Sequence, residues 1–304
     1  MVTYLAHHTI DKDKWDHCIL HAANRLIYAQ SACLDAIAGK WDALVLNDYE
    51  AVMPLTWRKK FFITYLYQPA FIQQLGIFFT KQLSAETYGL FTAALFKHFK
   101  FAEIYCNHLN TGNLPPEYCS ARTNYILDIN KPYTGIFNNY QPGFTKSLRR
   151  IAKFGMQYKP STDIDATILL HRKLYGKRTA HLGEKDYHAF TRLCRVLLQQ
   201  QQLEIRQATG VDGELLASVL LFKDGNRLYN IIACLTAEGR RLEANYFLYD
   251  SIIREFCNSN YILDLEGSDI KGIADFYVKL NPVNQPYPFF RYNHLHPLLK
   301  LVKK

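Results

Sequence analysis

Asn260-Tyr261-Ile262-Leu263-Asp264-Leu265 repeats, almost letter for letter, Asn124-Tyr125-Ile126-Leu127-Asp128-Ile129. Both stretches are rich in residues that favour strands. If they marked equivalent places in a duplicated domain, the elements around them would match. Residues 261–265 follow a helix expected at 244–256, which itself follows a strand at 227–235. In the first half, the strand that follows the corresponding helix (84–97) is 101–106, and 125–129 comes one strand later. The echo is therefore read as two strands that use the same letters. Duplication is expected at the level of architecture.

The chain has 304 residues, 49% hydrophobic and 21% charged, a composition that suits a globular protein of two domains. No apolar run approaches the ~20 residues needed to cross a bilayer. The opening MVTYLAHHTIDKDKW lacks a basic segment followed by an apolar one, so a cytoplasmic location is expected. The seven cysteines form no CxxC pair and read as buried free thiols. The net charge of +9 favours an anionic partner: a phosphate-bearing cofactor, RNA or a membrane surface.

Hydrophobic patterning predicts the same order in both halves. The first half reads as a helix at 13–24, a strand hairpin at 41–46 and 50–57, a strand at 62–67, the helix at 84–97 and the strand at 101–106. The second half reads as helices at 163–175 and 185–200, strands at 203–208, 215–222 and 227–235, a loop at 236–243, the helix at 244–256 and the strand at 261–265. Leu169, Leu170 and Leu174 are expected to face inward on the helix at 163–175. Asp224-Gly225 marks a tight hairpin.

Three stretches carry a resemblance: Tyr67-Gln68-Pro69 through Gln74-Leu75-Gly76-Ile77-Phe78; Tyr125–Ile129 followed by Leu148-Arg149-Arg150-Ile151-Ala152-Lys153; and Leu263-Asp264-Leu265-Glu266-Gly267-Ser268 followed by Gly272 through Lys279. With the order of elements, they resemble the FemAB-like branch of the GNAT (Gcn5-related N-acetyltransferase) superfamily. The resemblance covers nearly the whole chain. It implies a mixed α/β chain (α+β in class) with two GNAT-like domains in tandem, each a mixed, mostly antiparallel sheet flanked by helices. The domains are expected at 1–135, non-catalytic, and 136–304, with the active cleft; the C-terminal tail packs on its own domain or returns to the first.

The activity implied is transfer of an acyl or aminoacyl group from acyl-CoA or aminoacyl-tRNA to an amine. The fold holds the cofactor pyrophosphate on backbone N–H groups before a helix, where free donors and partial positive charge meet. The expected cofactor-binding residues are Gly239, Arg240, Arg241 and Asn245; the second glycine of the usual loop is missing here, and the first half has none at 80–84. An amine must lose a proton before it attacks, and Glu266, just past a strand end, is the candidate catalytic base. Tyr229, Asn230, Ser268 and Lys279 are the candidate substrate-binding residues, although Leu280-Asn281-Pro282 replaces the family's Phe-Gly after the lysine.

No metal is expected: His17 and His21 lack a third ligand, and neither a P-loop nor a GxSxG elbow is present. The partners expected are a small-molecule or peptide amine and, for an aminoacyl donor, tRNA. Oligomeric state is left open. Two rival readings stand beside the transferase. One is a catalytically silent GNAT scaffold that binds a ligand or protein, suggested by the missing glycines. The other is an RNA-binding module, suggested by Lys146, Arg149, Arg150 and Lys153, which Arg172, Lys173, Lys177 and Arg178 could extend.

Overall fold

The computed structural model describes residues 1–176, 182–267 and 270–297. The chain divides into two units, 1–122 with 286–304 and 123–285. This division differs from the expected boundary at 135/136, for a reason of strand pairing. Strand β8 (Tyr125–Asp128) hydrogen-bonds into the second sheet, against β13 (Ile262–Asp264). Strand β15 (Tyr287–Asn293) pairs with β6 (Phe101–Tyr105) and β7 (Cys119–Arg122) in the first sheet. The tail thus returns to the first unit as far as it is described; residues 298–304 lie outside the described residues.

The first unit is built on an eight-stranded sheet. Its strands are β1 (Val2–Leu5), β2 (Trp41–Leu46), β3 (Ala51–Lys60), β4 (Ile63–Leu66), β5 (Phe78–Phe79), β6, β7 and β15. Helices α1 (Lys12–His21), α2 (Ser31–Ile37) and α3 (Ala85–His98) accompany them. Ser84 caps α3 by accepting from the Thr87 N–H, which fixes where that helix starts. Among the described strands every pairing is antiparallel except β4 with β6, which meet at Leu66 and Ala102 and are connected through α3; beyond β4 an isolated parallel bridge joins Leu75 to Cys106.

The second unit repeats this plan. Its seven-stranded sheet runs β14 (Val283–Asn284), β8, β13, β12 (Arg227–Leu235), β11 (Leu215–Asp224), β10 (Leu203–Thr209) and β9 (Gln157–Ser161). Helices α4 (Tyr133–Asn138), α5 (Pro142–Ile151), α6 (Ile164–Tyr175), α7 (Glu184–Gln199), α8 (Ala237–Arg241), α9 (Ala244–Phe256) and α10 (Lys271–Val278) flank it. Again one pair is parallel: β12 and β13, connected through α9. The core gathers Leu216, Val219 and Leu221 of β11, Leu263 and Leu265, and Leu248, Ile252 and Ile253 of α9. All seven cysteines are free.

The echoed words turn out to be neighbours. β8 and β13 pair antiparallel, with Leu127 opposite Leu263 and Asp264 opposite Ile126. Their shared aspartates do different work. Asp128 caps the Asn130 N–H and pairs with Lys131 at the surface. Asp264 is 1% exposed and meets the buried Arg227 Nη1 at 2.8 Å.

Two sequence expectations fail here. Residues 236–243 are not a plain loop, because Thr236 accepts from the Gly239 N–H and starts the short helix α8. On α6, Leu169 is 66% exposed, while Ile164, Thr167 and Ile168 face the core. The buried face follows the 3.6-residue period from Ile164 and Ile168 through His171 and Tyr175; Leu170 and Leu174 flank it half-buried, whereas Leu169 falls on the far side. Apolar letters alone misplace it.

The Arg227–Asp264 pair generates an expectation. Removing one partner strands the other charge in the interior, at a cost of about 3–5 kcal/mol. Arg227→Met is expected to lose stability of that order in a urea titration. The double variant Arg227→Met/Asp264→Leu should recover part of it.

Candidate functional site

β12 and β13 pair only at Arg227–Ile262, Leu228–Leu263 and Tyr229–Asp264. Beyond that point the strands part. A cavity of about 600 Å³ opens in the gap, lined on one side by residues 230–235 of β12 and on the other by Leu265, Glu266 and Gly267. His171 and Tyr175 of α6, Asn245, Leu248 and Tyr249 of α9, and Phe276 and Tyr277 of α10 complete much of its wall.

Two backbone features shape the β12 wall. The ladder with β11 shifts between Leu220 and Leu221, which face Ile232 and Asn230, so Ile231 is an extra residue that bulges. Leu235 donates its N–H to the Tyr175 hydroxyl at 3.3 Å, away from β11. The pleat alternates, so the Ala233 N–H also points to the cavity side.

The polar floor centres on Asn230, which is 5% exposed. Its Nδ2 donates to the Tyr249 and Tyr277 hydroxyls, each at 2.8 Å. Its Oδ1 is buried with no hydrogen-bond partner among the described residues. Turning the amide over exchanges the two ends and leaves the same deficit. Burial pushes the Tyr249 phenol well up. Burial, helped by the nearby Glu266 charge, pushes Tyr277 up to about 12. Both hydroxyls therefore keep their protons at neutral pH. Burial lowers the His171 imidazole, which favours its neutral form.

Glu266 sits where the chain leaves β13, with φ +59°, a left-handed conformation uncommon for a glutamate. Asp264 Oδ1 holds the strained turn by accepting the Glu266 N–H at 2.9 Å. Gly267 follows, also at positive φ, and a Cβ there would lie 2.0 Å from the Thr123 carbonyl oxygen. No other residue fits that approach. Burial raises the Glu266 carboxyl well above the usual carboxylate range.

The structure brings together Glu266, Asn230, Arg240 and Asn245 on one cavity and leaves out other expected residues. Tyr229 is 1% exposed, packs in the core and does not line the cavity. Lys279 donates from Nζ to the Tyr246 hydroxyl at 2.7 Å, and it too is outside the lining. Arg241 is held by Glu238. Gly239 packs α8 against β11: a Cβ would lie 2.0 Å from the Leu216 carbonyl oxygen, so its missing side chain serves the fold. Ser268, Lys177 and Arg178 lie outside the described residues. In the basic stretch, Arg150 pairs with Glu243, and Lys153 lies over the Phe154 ring. Among the described residues no group of three or more His, Cys, Asp or Glu could hold a metal ion, and no helix is long and apolar enough to cross a membrane.

Sequence reasoning missed Tyr249 and Tyr277. A signal for the first was present: on α9, Tyr249 lies one turn past Asn245 on the same face, and Leu248 sits between them.

Residues 144–269 match the family described as acetyltransferase (GNAT) domain. The crystal structure of FemX superposes with a TM-score of 0.67 at 12% identity, covering 99% of this chain and 100% of that one. The chain has a tandem GNAT fold. The C-terminal domain of a putative lysylphosphatidylglycerol synthetase from Agrobacterium fabrum matches with a TM-score of 0.58 at 13% identity, over 96% of this chain and 94% of that one. A tandem GNAT protein from the clavulanic acid biosynthesis pathway matches at 0.52 and 12% identity, over 97% and 99%. No curated protein matches the sequence. In GNAT terms, the cavity occupies the gap between the one parallel strand pair of the second unit.

Two expectations follow from this geometry. Gly239→Ala should destabilise by about 1–3 kcal/mol through overpacking against β11, read as a lower urea midpoint at unchanged slope. Glu266→Gln tests the raised carboxyl. In the folded chain that group keeps its proton at pH values where the unfolded chain, with an ordinary carboxylate near ~4.3, has lost it. Its contribution to stability is present at low pH and is lost as pH rises through the folded value. Thermal melts should show Glu266→Gln gaining on the parent protein as pH rises from acid to neutral.

Proposed function

We propose that the second unit is an N-acyltransferase that moves an acyl or aminoacyl group from an activated donor, acyl-CoA or aminoacyl-tRNA, to an amine. The observation that carries this reading is the cavity where β12 and β13 part, with a raised carboxyl on one wall and a buried, incompletely satisfied Asn230 on the other. The GNAT match at 144–269 covers β12, β13, α6, α8 and α9 of its wall, and α10 lies just beyond it. The first unit is read as non-catalytic. In it, the space beside β6 past the end of β4 is taken by its own chain: the Leu75 N–H donates to the Tyr105 carbonyl and the Gln68 side chain accepts from the Tyr105 N–H.

A phosphate-bearing donor fits the residues at the start of α9. The first N–H groups of a helix have no intrahelical acceptor, Asn245 lines the cavity there, and the exposed Arg240 adds a positive charge beside it. The donor supplies an activated thioester or ester carbonyl. Glu266 accepts the proton that the ammonium of the acceptor must lose. The free amine then forms the C–N bond, the C–S or C–O bond to the donor breaks, and the leaving group takes up the second proton, which the nitrogen gives up as the amide forms. The Tyr249 and Tyr277 hydroxyls and the Ala233 N–H are donors on the cavity side for the negative charge that develops on the carbonyl oxygen. Proximity supplies much of the rate.

The first experiment is a calorimetric titration of acetyl-CoA at moderate salt. Stoichiometric binding that weakens about tenfold or more in Arg240→Glu supports the CoA donor. Absence of heat moves the test to charged tRNA, and silence with both overturns the transferase reading. Given a donor, Glu266→Gln should lower single-turnover transfer by roughly 10²–10⁴-fold and remove the acidic limb of the pH profile. That limb should lie above the ordinary carboxylate range.

A further inference from the structure

The hairpin of β3 and β4 breaks a local rule at its tip. Lys60 pairs with Ile63, so the loop is only Phe61 and Phe62. Two-residue hairpin loops favour Gly, Asn and Asp, because the backbone there takes positive φ. The chain follows that rule in its other unit. Between β11 and β12 the loop is Gly225-Asn226, with Gly225 at φ +55°. Phe61 takes almost the same conformation, φ +52°, with a bulky aromatic side chain. Local structure does not call for phenylalanine here.

Packing does not call for it either. Phe61 is 69% exposed, and Phe62, at 96%, is the most exposed large hydrophobic residue among those described. Residues 51–56 of β3 are buried, whereas Arg58, Lys59 and Lys60 are exposed, so the tip stands clear of the core. Those three cations follow one another directly into the loop. Arg58 lies over the Tyr67 ring at 4.0 Å, and Lys40 lies over the Trp57 ring at 5.7 Å, which sets half-buried aromatic rings behind the cationic collar.

We propose that this hairpin tip docks on an anionic lipid bilayer, with Phe61 and Phe62 entering the headgroup–acyl boundary and Arg58, Lys59 and Lys60 resting on lipid phosphates. The arrangement matches the chemistry of an interface at each depth. Apolar rings lead, long cationic side chains keep their heads in the phosphate layer, and amphipathic aromatics follow. Charge complementarity selects the bilayer over other occupants: a second copy of this hairpin would bring six like charges together, whereas anionic lipid attracts each of them. The net charge of +9 adds long-range attraction of the same sign. This inference rests on the first unit alone and stands apart from the transferase reading.

The test is co-sedimentation of the full chain with phosphatidylcholine vesicles, with and without phosphatidic acid. The parent protein should bind the mixed vesicles, bind the neutral ones far less, and be released by salt. Phe61→Gly/Phe62→Asn copies the loop of the second unit, so it should melt no lower than the parent while binding falls at least about tenfold. Lys59→Glu/Lys60→Glu should also lower binding and weaken its salt dependence. In Phe62→Trp, tryptophan emission should shift to the blue on the mixed vesicles. The proposal is overturned if the parent ignores anionic vesicles or if the Gly-Asn loop binds as well as the parent. It is equally overturned if the phenylalanines instead drive a concentration-dependent dimer that the Gly-Asn loop removes.

Discussion

The chemistry available to the second unit depends on where two parallel strands stop pairing. β12 and β13 run together for three residue pairs and then part. At the closed end the buried Asp264 receives Arg227, and Gln285 Oε1 lies within 3.5 Å of the same guanidinium. The other oxygen of Asp264 accepts the Glu266 N–H. One carboxylate thus closes the strands on one side and orients the next polar residue on the other. A buried ion pair is a poor source of net stability, since desolvation offsets much of the attraction. Its value here is geometric: it pins the point from which the cavity opens.

The two units show what that opening requires. Both join a parallel pair through a helix, β4 and β6 through α3, β12 and β13 through α9. In the first unit, Leu75 takes up the ladder beside Cys106, and the Asn107 and Asn110 side chains donate to the Ile77 carbonyl. Gly76 permits it, with φ +90° and Asn110 Oδ1 where a Cβ would stand. The backbone groups that would face an empty gap are met by the chain itself. In the second unit no such segment intervenes among the described residues, and Asn230 Oδ1 on β12 stays without a hydrogen-bond partner. One topology gives a filled gap in one case and a cavity in the other.

Much of this was legible in the letters. Helices with capping residues and hairpins with Asp-Gly are local signals, and they place α3, α9 and the β11–β12 turn within a residue or two. The order of elements then points to the tandem fold. Side-chain roles are not local in this sense. Gly239 resembles a ligand-binding glycine, yet what excludes a side chain there is the Leu216 carbonyl, more than twenty residues away in sequence. Lys279 reads as substrate-facing, but Tyr246 takes its ammonium. Leu169 reads as core because leucine is apolar, although the helical period turns it outward. Tyr249 and Tyr277 look like ordinary core aromatics until Asn230 is seen to bond both. In each case the deciding partner is distant in the chain.

The places where local preference is overridden point the same way. A glutamate at positive φ, a phenylalanine at positive φ in a two-residue loop, and a buried amide with one end unmet are each unfavourable taken alone. A fold that is consistent elsewhere tolerates such residues because the surroundings over-determine them. Asp264 and Gly267 hold the Glu266 turn, so its strain is fixed by neighbours that would gain nothing from a different residue there. The β3–β4 ladder holds Phe61 in the same way. Neither side chain repays its conformation by packing in the core, since one faces a cavity and the other faces solvent. The proposed amine at Glu266 and the proposed lipid surface at Phe61 and Phe62 would each meet a side chain that stands outside the core.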